Sequence, residues 1–249
     1  MAKTKEAKGL TSKMPEAFSK DIGQVLAASG LVVIVAFFSI MKPVFRTWQN
    51  ISNILVATTV FGLLALGVTF VIIAGGIDLS IGTSMTLCAI VIGKIVVTYK
   101  GPFWLGFIGG IITGMVIGAI NGVLITRLKL PPFIATLATM KAAQGFALIY
   151  SHVVPINFSG AKTDAWQNIA LSQIFPGFRI SIVIFIIAAI IAAIILNKTI
   201  IGRYTFAIGS NTEATKLSGV NVDRWLILIY SICGAFVGLA AVILTARLG

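Results

Sequence analysis

The sequence predicts an all-α membrane protein, a polytopic helical bundle with about seven transmembrane helices. Of its 249 residues 58% are hydrophobic and the mean hydropathy is +1.04, whereas a soluble domain is nearer half apolar. Its apolar stretches approach the roughly 20 residues that cross a hydrocarbon core of about 30 Å. Seven residues are acidic, and of these only Asp78 reaches the edge of an apolar stretch. The predicted spans are residues 25–41, 52–73, 81–97, 103–126, 133–150, 179–196 and 226–245.

The basic residues predict the orientation of these spans. Of the 19 Lys and Arg residues, eleven fall on the side that holds the N-terminus, seven on the other side, and Lys141 inside a span. Because cytoplasmic loops carry the excess of basic residues, we expect a cytoplasmic N-terminal tail, 1–24, and a transmembrane domain, 25–249. The net charge of +12 reflects this bias and not a nucleic-acid surface, since the basic residues form no single patch. We expect the transmembrane domain to be embedded in the lipid bilayer.

Metal and cofactor chemistry has little support in the sequence. Cys88 and Cys233 lie in predicted spans, where free cysteines are typical small apolar fillers, and His152 is the only histidine. We therefore predict no disulfide, no metal site and no cofactor in this chain.

Two long segments connect the spans. Residues 151–177 form the predicted outer loop, either a plain connector or a contact for an external partner, and 197–225 lie on the cytoplasmic side. In the second segment Ser210 and Glu213 have the spacing of a capping box, and Gly219 suits the left-handed position that ends a helix. The pattern predicts a helix over 211–218 with Ala214 and Leu217 on one face. A helix this short is marginal alone, so it either tucks under the bundle or docks a partner.

The fourth span carries a stripe of small residues that predicts close helix packing. Glycines recur at every fourth position, which lets a neighbouring backbone approach one face of the helix. They are Gly106, Gly110, Gly114, Gly118 and Gly122, and Gly234 and Gly238 repeat the spacing in the last span.

The segment GGIDLSIG, residues 75–82, separates the second and third spans. Its paired glycines break the helix, and Asp78 is predicted either to cap the next helix through its carboxylate or to serve as a gate. Neutral polar groups in the spans can replace water around an uncharged, hydroxyl-rich solute, although each can also bond within the bundle. They are Thr58, Thr59, Thr69, Ser84, Thr86, Thr113, Asn121, Thr136, Thr139 and Gln144. The candidates for the translocation path are Asp78, Asn121, Thr136 and Gln144.

The residue types that the sequence lacks exclude several classes of membrane protein. An ion-coupled transporter carries ionisable groups within its helices, and an aspartyl protease needs two carboxylates that share a proton. Apart from Asp78 at a span boundary the spans hold no carboxylate, and a single aspartate cannot form such a pair. The chain also lacks the G-x-x-x-x-G-K-[ST] loop of nucleotide hydrolases. We therefore expect a transporter subunit that is not itself an enzyme, with any motor on a separate subunit.

Four ordered blocks resemble the membrane subunit of bacterial ribose-type ABC importers. They are LALGVTFVIIAGGIDLSIG (64–82), LPPFIATLATM (130–140), GRYTFAIGSNTEATKLSGVNV (202–222) and YSICGAFVGLAAVILTARL (230–248). The resemblance implies a monosaccharide permease of the bacterial plasma membrane that pairs with a second permease subunit, two ATP-binding subunits and an extracytoplasmic sugar-binding protein. It also implies that the ATP-binding subunit docks on the block that holds Ser210, Glu213, Ala214, Leu217 and Gly219.

The chain departs from this family in two places. Members usually carry a basic residue near the position of Gln144, where the nearest here is Lys141. Members also continue for about three more helices beyond the position of Gly249, so the sequence is expected to be a fragment or a truncated product. The alternatives to an importer subunit are a transport-inactive fragment and a passive channel or secondary transporter.

Overall fold

The fold is taken from a computed structural model, which describes residues 16–158, 164–175 and 178–248. Residues 1–15 of the predicted tail lie outside the described residues, as do Gly160, Pro176 and Gly177 of the predicted outer loop.

Ten helices and one short hairpin make up the described chain. The first five helices are α1 (Glu16–Met41), α2 (Trp48–Ile73), α3 (Ile81–Gly93), α4 (Phe103–Thr126) and α5 (Pro132–Ser151). A 3-10 turn, Pro43–Arg46, follows α1, and a π-helical turn, Lys94–Thr98, extends α3. The remaining elements are α6 (Asp164–Leu171), β1 (Gln173–Phe175), β2 (Phe178–Arg179), α7 (Ile180–Lys198), α8 (Ile200–Ser210), α9 (Thr212–Leu217) and α10 (Val222–Leu248).

The all-α membrane architecture is confirmed. Within the described ranges six helices are long and apolar enough to cross a membrane, and their ends lie within about four residues of the predicted ones. The first predicted span, 25–41, corresponds to a shorter apolar stretch of 17 residues, Val25–Met41, within α1. The antiparallel hairpin of β1 and β2, between α6 and α7, is the one piece of sheet among the described residues.

The chain divides into two compact units, Met1–Ile51 and Ser52–Gly249. The first unit contains α1 and the 3-10 turn, in which the rings of Phe38 and Phe45 stack with centroids 5.7 Å apart. The second unit contains the remaining spans and every feature discussed below.

Helix α10 lies at the centre of the second unit. Most of its side chains from Ile229 to Ala246 are buried, because α4 and α3 pack against it. A Cβ atom added to Gly238 would lie 2.5 Å from the Gly110 carbonyl oxygen and 2.6 Å from the Ile111 Cα atom. A Cβ atom added to Gly114 would likewise collide with the backbone of Gly234. The glycines of the two helices therefore form a single seam along which the backbones touch.

The loop between α5 and α7 contributes to the core of the bundle. Trp166 of α6 is fully buried, stacks on Phe158 at 6.3 Å between ring centroids, and packs over Gly106 at the start of α4. This part of the loop is more than a connector, because its largest side chain fills the space between helices.

Helix α8 brings the short helix α9 to the bundle. Gly209 in its last turn packs directly on the backbone of Ile73 at the end of α2. A side chain at Gly209 would collide with that backbone, so the glycine sets the position from which α9 starts.

Candidate functional site

The segment between α2 and α3 is an irregular chain that runs back into the bundle. The chain reverses at Gly75, whose φ of +79° is favourable for glycine alone, and the Gly76 N–H donates to the Val71 carbonyl at 2.9 Å. A Cβ atom at Gly76 would lie 2.6 Å from the Tyr230 hydroxyl oxygen. The paired glycines thus end α2 and admit Tyr230 of α10 against the backbone.

The carboxylate of Asp78 binds the start of α3 in a local turn. Its Oδ1 atom accepts hydrogen bonds from the Ser80 N–H at 2.8 Å and from the Ser80 hydroxyl at 2.6 Å. Ser80 itself is the N-cap residue, and its side chain bonds to no N–H of the first helical turn. The prediction that Asp78 caps the next helix is therefore wrong. It stands two positions too early, so its oxygen meets the cap residue instead of the helix behind it.

A chain of hydrogen bonds links this turn to two further helices. The Asn121 amide of α4 donates to the Ser80 hydroxyl at 2.9 Å and accepts from the Thr139 hydroxyl of α5 at 2.5 Å. Ser80, Asn121 and Thr139 are all buried, while Asp78 is half-buried. We refer to Asp78, Ser80, Asn121 and Thr139 as the Asp78 network.

Helix α10 holds the same segment from the other side. The Tyr230 hydroxyl donates to the Ile77 carbonyl at 3.1 Å, and the Cys233 thiol lies 3.9 Å from Oδ2 of Asp78 as a weak donor. At 1.5 Å per residue these side chains lie about 12 and 16 Å from the first residue of α10, close to half of a hydrocarbon core. Cys233, predicted to be an apolar filler, also contacts the carboxylate.

The Asp78 network combines one carboxylate with neutral groups. Donors on both oxygens offset the cost of placing the carboxylate among helices. Hydroxyl and amide groups can donate and accept, which suits contact with a hydroxyl-rich solute. Among the described residues no group of three or more His, Cys, Asp or Glu side chains could hold a metal ion.

The structure separates the four predicted path residues. Asp78 and Asn121 meet in the Asp78 network. Thr136 is buried, but its hydroxyl bonds to the Pro132 carbonyl of its own helix at 2.8 Å, and Gln144 is exposed on another side of α5. Ser80 was not predicted as a site residue. The available signal was its place in GGIDLSIG, two residues after the aspartate, where a serine can bind that carboxylate.

Helix α9 starts one residue later than the capping-box pattern predicts. Its N-cap is Asn211, whose Oδ1 atom accepts from the Ala214 N–H at 2.9 Å, while Ser210 is the last residue of α8. Glu213 is paired with Lys216 at 2.9 Å, and this hydrogen bond raises the pKa of Lys216. The predicted cap of Ser210 and Glu213 is therefore wrong, because α8 continues through Ser210 and leaves the adjacent asparagine to cap α9.

The outer surface of α9 is open to solvent. Thr215 is buried and fixes the helix on the bundle, whereas Glu213 and Ala214 are exposed and 89% of Leu217 is exposed. Gly219 follows with a φ of +82°, the left-handed conformation expected of it. The exposed side of α9 therefore presents the apolar Ala214 and Leu217 beside the charged Glu213 and Lys216.

Six apolar helices of the described chain that are long enough to cross a membrane, with a buried polar network between them, define a multi-pass membrane protein. The family model for the permease component of the branched-chain amino acid transport system matches residues 50–249. The chain belongs to this family.

Curated relatives match most of the chain. The ribose import permease protein of Bacillus subtilis (strain 168) is 41% identical over 219 residues, which cover 88% of this chain and 67% of the relative. The ribose import permease protein of Escherichia coli (strain K12) is 35% identical over 221 residues, covering 88% and 68%. The fructose import permease protein of Rhizobium meliloti is 35% identical over 235 residues, covering 90% and 64%. No solved structure is a significant match.

Proposed function

We propose that the chain is the translocation subunit of an ATP-binding-cassette importer for a monosaccharide of the ribose type. The observation that carries this proposal is the similarity to permeases named for ribose, allose, fructose and galactose import, at 34–41% identity. The family description names branched-chain amino acids, but these four relatives are all named for sugars. The hydroxyl and amide groups of the Asp78 network agree with a neutral, hydroxyl-rich cargo.

The importer has three kinds of partner in this proposal. ATP-binding subunits supply the energy, an extracytoplasmic sugar-binding protein delivers the cargo, and a second permease subunit completes the path. The protein lies in the bacterial inner membrane with its N-terminus in the cytoplasm, as the distribution of basic residues favours. Helix α9 then lies on the cytoplasmic side.

Helix α9 is the docking element for the ATP-binding subunit. Leu217 and Ala214 supply an apolar contact, and Glu213 supplies a charge beside it. Because Asn211 caps α9 and Thr215 is buried, the helix is held firmly enough to transmit a push from the motor.

Helix α10 connects this docking element to the Asp78 network. Four residues separate the end of α9 from the start of α10, and two turns later Tyr230 holds the Ile77 carbonyl. A tilt of α10 driven from α9 would pull on the segment that begins α3. The Asp78 network would then open or close as the ATP-binding subunits cycle.

Sugar accumulation tests the proposal directly. The chain is expressed in bacterial cells that lack their own ribose permease but supply the binding protein and the ATP-binding subunit, and uptake of labelled ribose is measured. We expect accumulation that disappears when the ATP-binding subunit is hydrolysis-deficient. Equal uptake with the hydrolysis-deficient subunit would identify a passive channel and refute the proposal.

A second measurement tests the docking element. Leu217→Asp places a charge in the apolar contact, and Glu213→Lys inverts the neighbouring charge. Both should abolish co-purification with the ATP-binding subunit, while the matched change Leu217→Met retains it. Unchanged co-purification of Leu217→Asp would remove α9 from the interface.

A further inference from the structure

One basic side chain lies in the middle of a membrane-spanning helix. Lys141 is the tenth of the 20 residues of α5, so it lies about 14 Å from the helix ends at 1.5 Å per residue. Half of a hydrocarbon core is about 15 Å. The four-carbon stem of lysine is too short to carry its ammonium from that depth to the bilayer surface.

No other residue in the described part of the chain shelters this ammonium. Lys141 is exposed, and so is Gln144, which shares its side of the helix. The buried side of α5 is formed by other positions, among them Thr139, Ala143 and Ala147. The one ion pair in the described part of the chain joins Lys216 to Glu213, so no carboxylate there neutralises Lys141.

Helix α5 is also poorly suited to lipid on this side. Its mean hydropathy of 1.3 is the lowest of the six spanning helices, which range up to 3.0. A charged group in a span is unfavourable in hydrocarbon, and such groups face the interior of an assembly or a water-filled cavity. The exposed side that carries Lys141 therefore requires water or polar groups next to it.

We propose that Lys141 and Gln144 line the water-filled translocation path of the assembled importer. This placement rests on the proposed function, which supplies the need for a path. There the ammonium offers three donors to hydroxyl oxygens and repels cations, which favours neutral or anionic solutes. Thr139 lies two residues earlier, so the path passes the Asp78 network at nearly the same depth.

Thiol labelling tests the placement without requiring transport. Lys141→Cys and Gln144→Cys are made singly and treated with a membrane-impermeant maleimide in vesicles that contain the assembled importer. Ile190→Cys is the lipid control, since Ile190 is 54% exposed near the middle of α7, the most apolar span. Ala143→Cys is the control for the buried side of α5. The unmodified chain, with Cys88 and Cys233 buried, gives the background.

Thiols that face a water-filled path should react with maleimide much faster than the lipid-facing and buried control thiols. Maleimide reacts with the thiolate, and each rise of one in the pKa of a thiol lowers the thiolate fraction about tenfold. We therefore expect Lys141→Cys and Gln144→Cys to label at least about tenfold faster than Ile190→Cys and Ala143→Cys. Equal rates for Gln144→Cys and Ile190→Cys would overturn the proposal.

The charge of Lys141 has its own test. In the Gln144→Cys chain, an anionic sulfonate reagent should react faster than a cationic trimethylammonium reagent. Adding Lys141→Met should lower the ratio of the anionic to the cationic rate by about tenfold, because a unit charge about 6 Å away is removed. An unchanged ratio would place the ammonium outside the path and overturn its role.

The outcomes also separate this placement from the proposed function. Fast labelling without ribose uptake would support the placement of Lys141 and Gln144 in the path and would reject ribose as the cargo. Slow labelling with normal, ATP-dependent uptake would reject the path assignment of Lys141 and Gln144 alone.

Discussion

Replacing Gly238 with alanine measures how closely α4 and α10 are packed. The new methyl carbon would lie 2.5 Å from the Gly110 carbonyl oxygen and 2.6 Å from the Ile111 Cα atom, almost 1 Å inside ordinary van der Waals contact, which begins at 3.4 Å. Both obstacles are backbone atoms, so no side-chain rotation relieves them. The two helices must separate along the seam that forms the centre of the bundle.

The expected cost follows from two opposing effects. Overpacking of a tight interior costs about 1–3 kcal/mol. Alanine is favoured over glycine in a helix by roughly 0.5–1 kcal/mol, which offsets part of that cost. Gly238→Ala should therefore destabilise the protein by about 1–2 kcal/mol.

Two other glycines provide matched controls for the added methyl group. A Cβ atom at Gly145 in α5 meets nothing within 4 Å, and one at Gly109 in α4 meets the flexible end of Ile95 at 2.6 Å. Gly145→Ala should be neutral or stabilising by up to about 1 kcal/mol. Gly109→Ala should lie between Gly145→Ala and Gly238→Ala.

Thermal unfolding in detergent, followed by size-exclusion chromatography after heating, ranks the three variants. The unfolding temperature should be highest for Gly145→Ala, lower for Gly109→Ala and lowest for Gly238→Ala. A midpoint for Gly238→Ala equal to that of Gly145→Ala would mean that the backbones are not in contact, and the reasoning on the seam would fail.

Three further changes test the Asp78 network and the residues around it. Asp78→Asn keeps an oxygen for Ser80 but removes the charge, so it should lower the stability of the protein by about 1 kcal/mol, the difference between a charged and a neutral hydrogen bond. Lost uptake with normal membrane insertion would show that the charge has a role in transport, and unchanged uptake would show that it has none. Tyr230→Phe removes the hydrogen bond to the Ile77 carbonyl and should lower stability by about 1 kcal/mol. It should also slow uptake while co-purification with the ATP-binding subunit is retained. Normal uptake would show that Tyr230 does not connect α9 to the segment before α3. Ser84→Ala removes a buried hydroxyl that has no partner among the described residues, so thermal unfolding should show unchanged or slightly higher stability; a clear loss would reveal a hidden partner.

The spans were predictable because their lengths are set by the bilayer. Backbone groups in lipid must bond within the helix, so an apolar run continues as helix until polar residues return. The predicted ends of 103–126 coincide with α4, and those of 81–97 differ by one residue from Ile81–Thr98. The burial of α6 was not predictable in this way, because Trp166 is held by tertiary packing and not by a periodic pattern.

The candidate site was only partly predictable because it depends on which helices meet. Asn121 lies 41 residues from Ser80 and 18 from Thr139, and nothing local to these residues encodes the pairing. The error at Ser210 has a local cause. Serine and asparagine are both good N-cap residues, and the packing of Gly209 on α2 decides between them by extending α8 to Ser210.

The glycine seam and the Asp78 network depend on each other. Asn121 lies between Gly118 and Gly122, which rest on the backbones of Tyr230 and Ile227 in α10. The seam therefore fixes the distance between the helix that carries the Asn121 amide and the helix that carries the Tyr230 hydroxyl. Hydrogen bonds of 2.9 and 3.1 Å tolerate little separation before they weaken. Because glycine permits this contact, a small movement of α10 relative to α4 is enough to break or form the network, which is the movement that the proposed coupling through α9 needs.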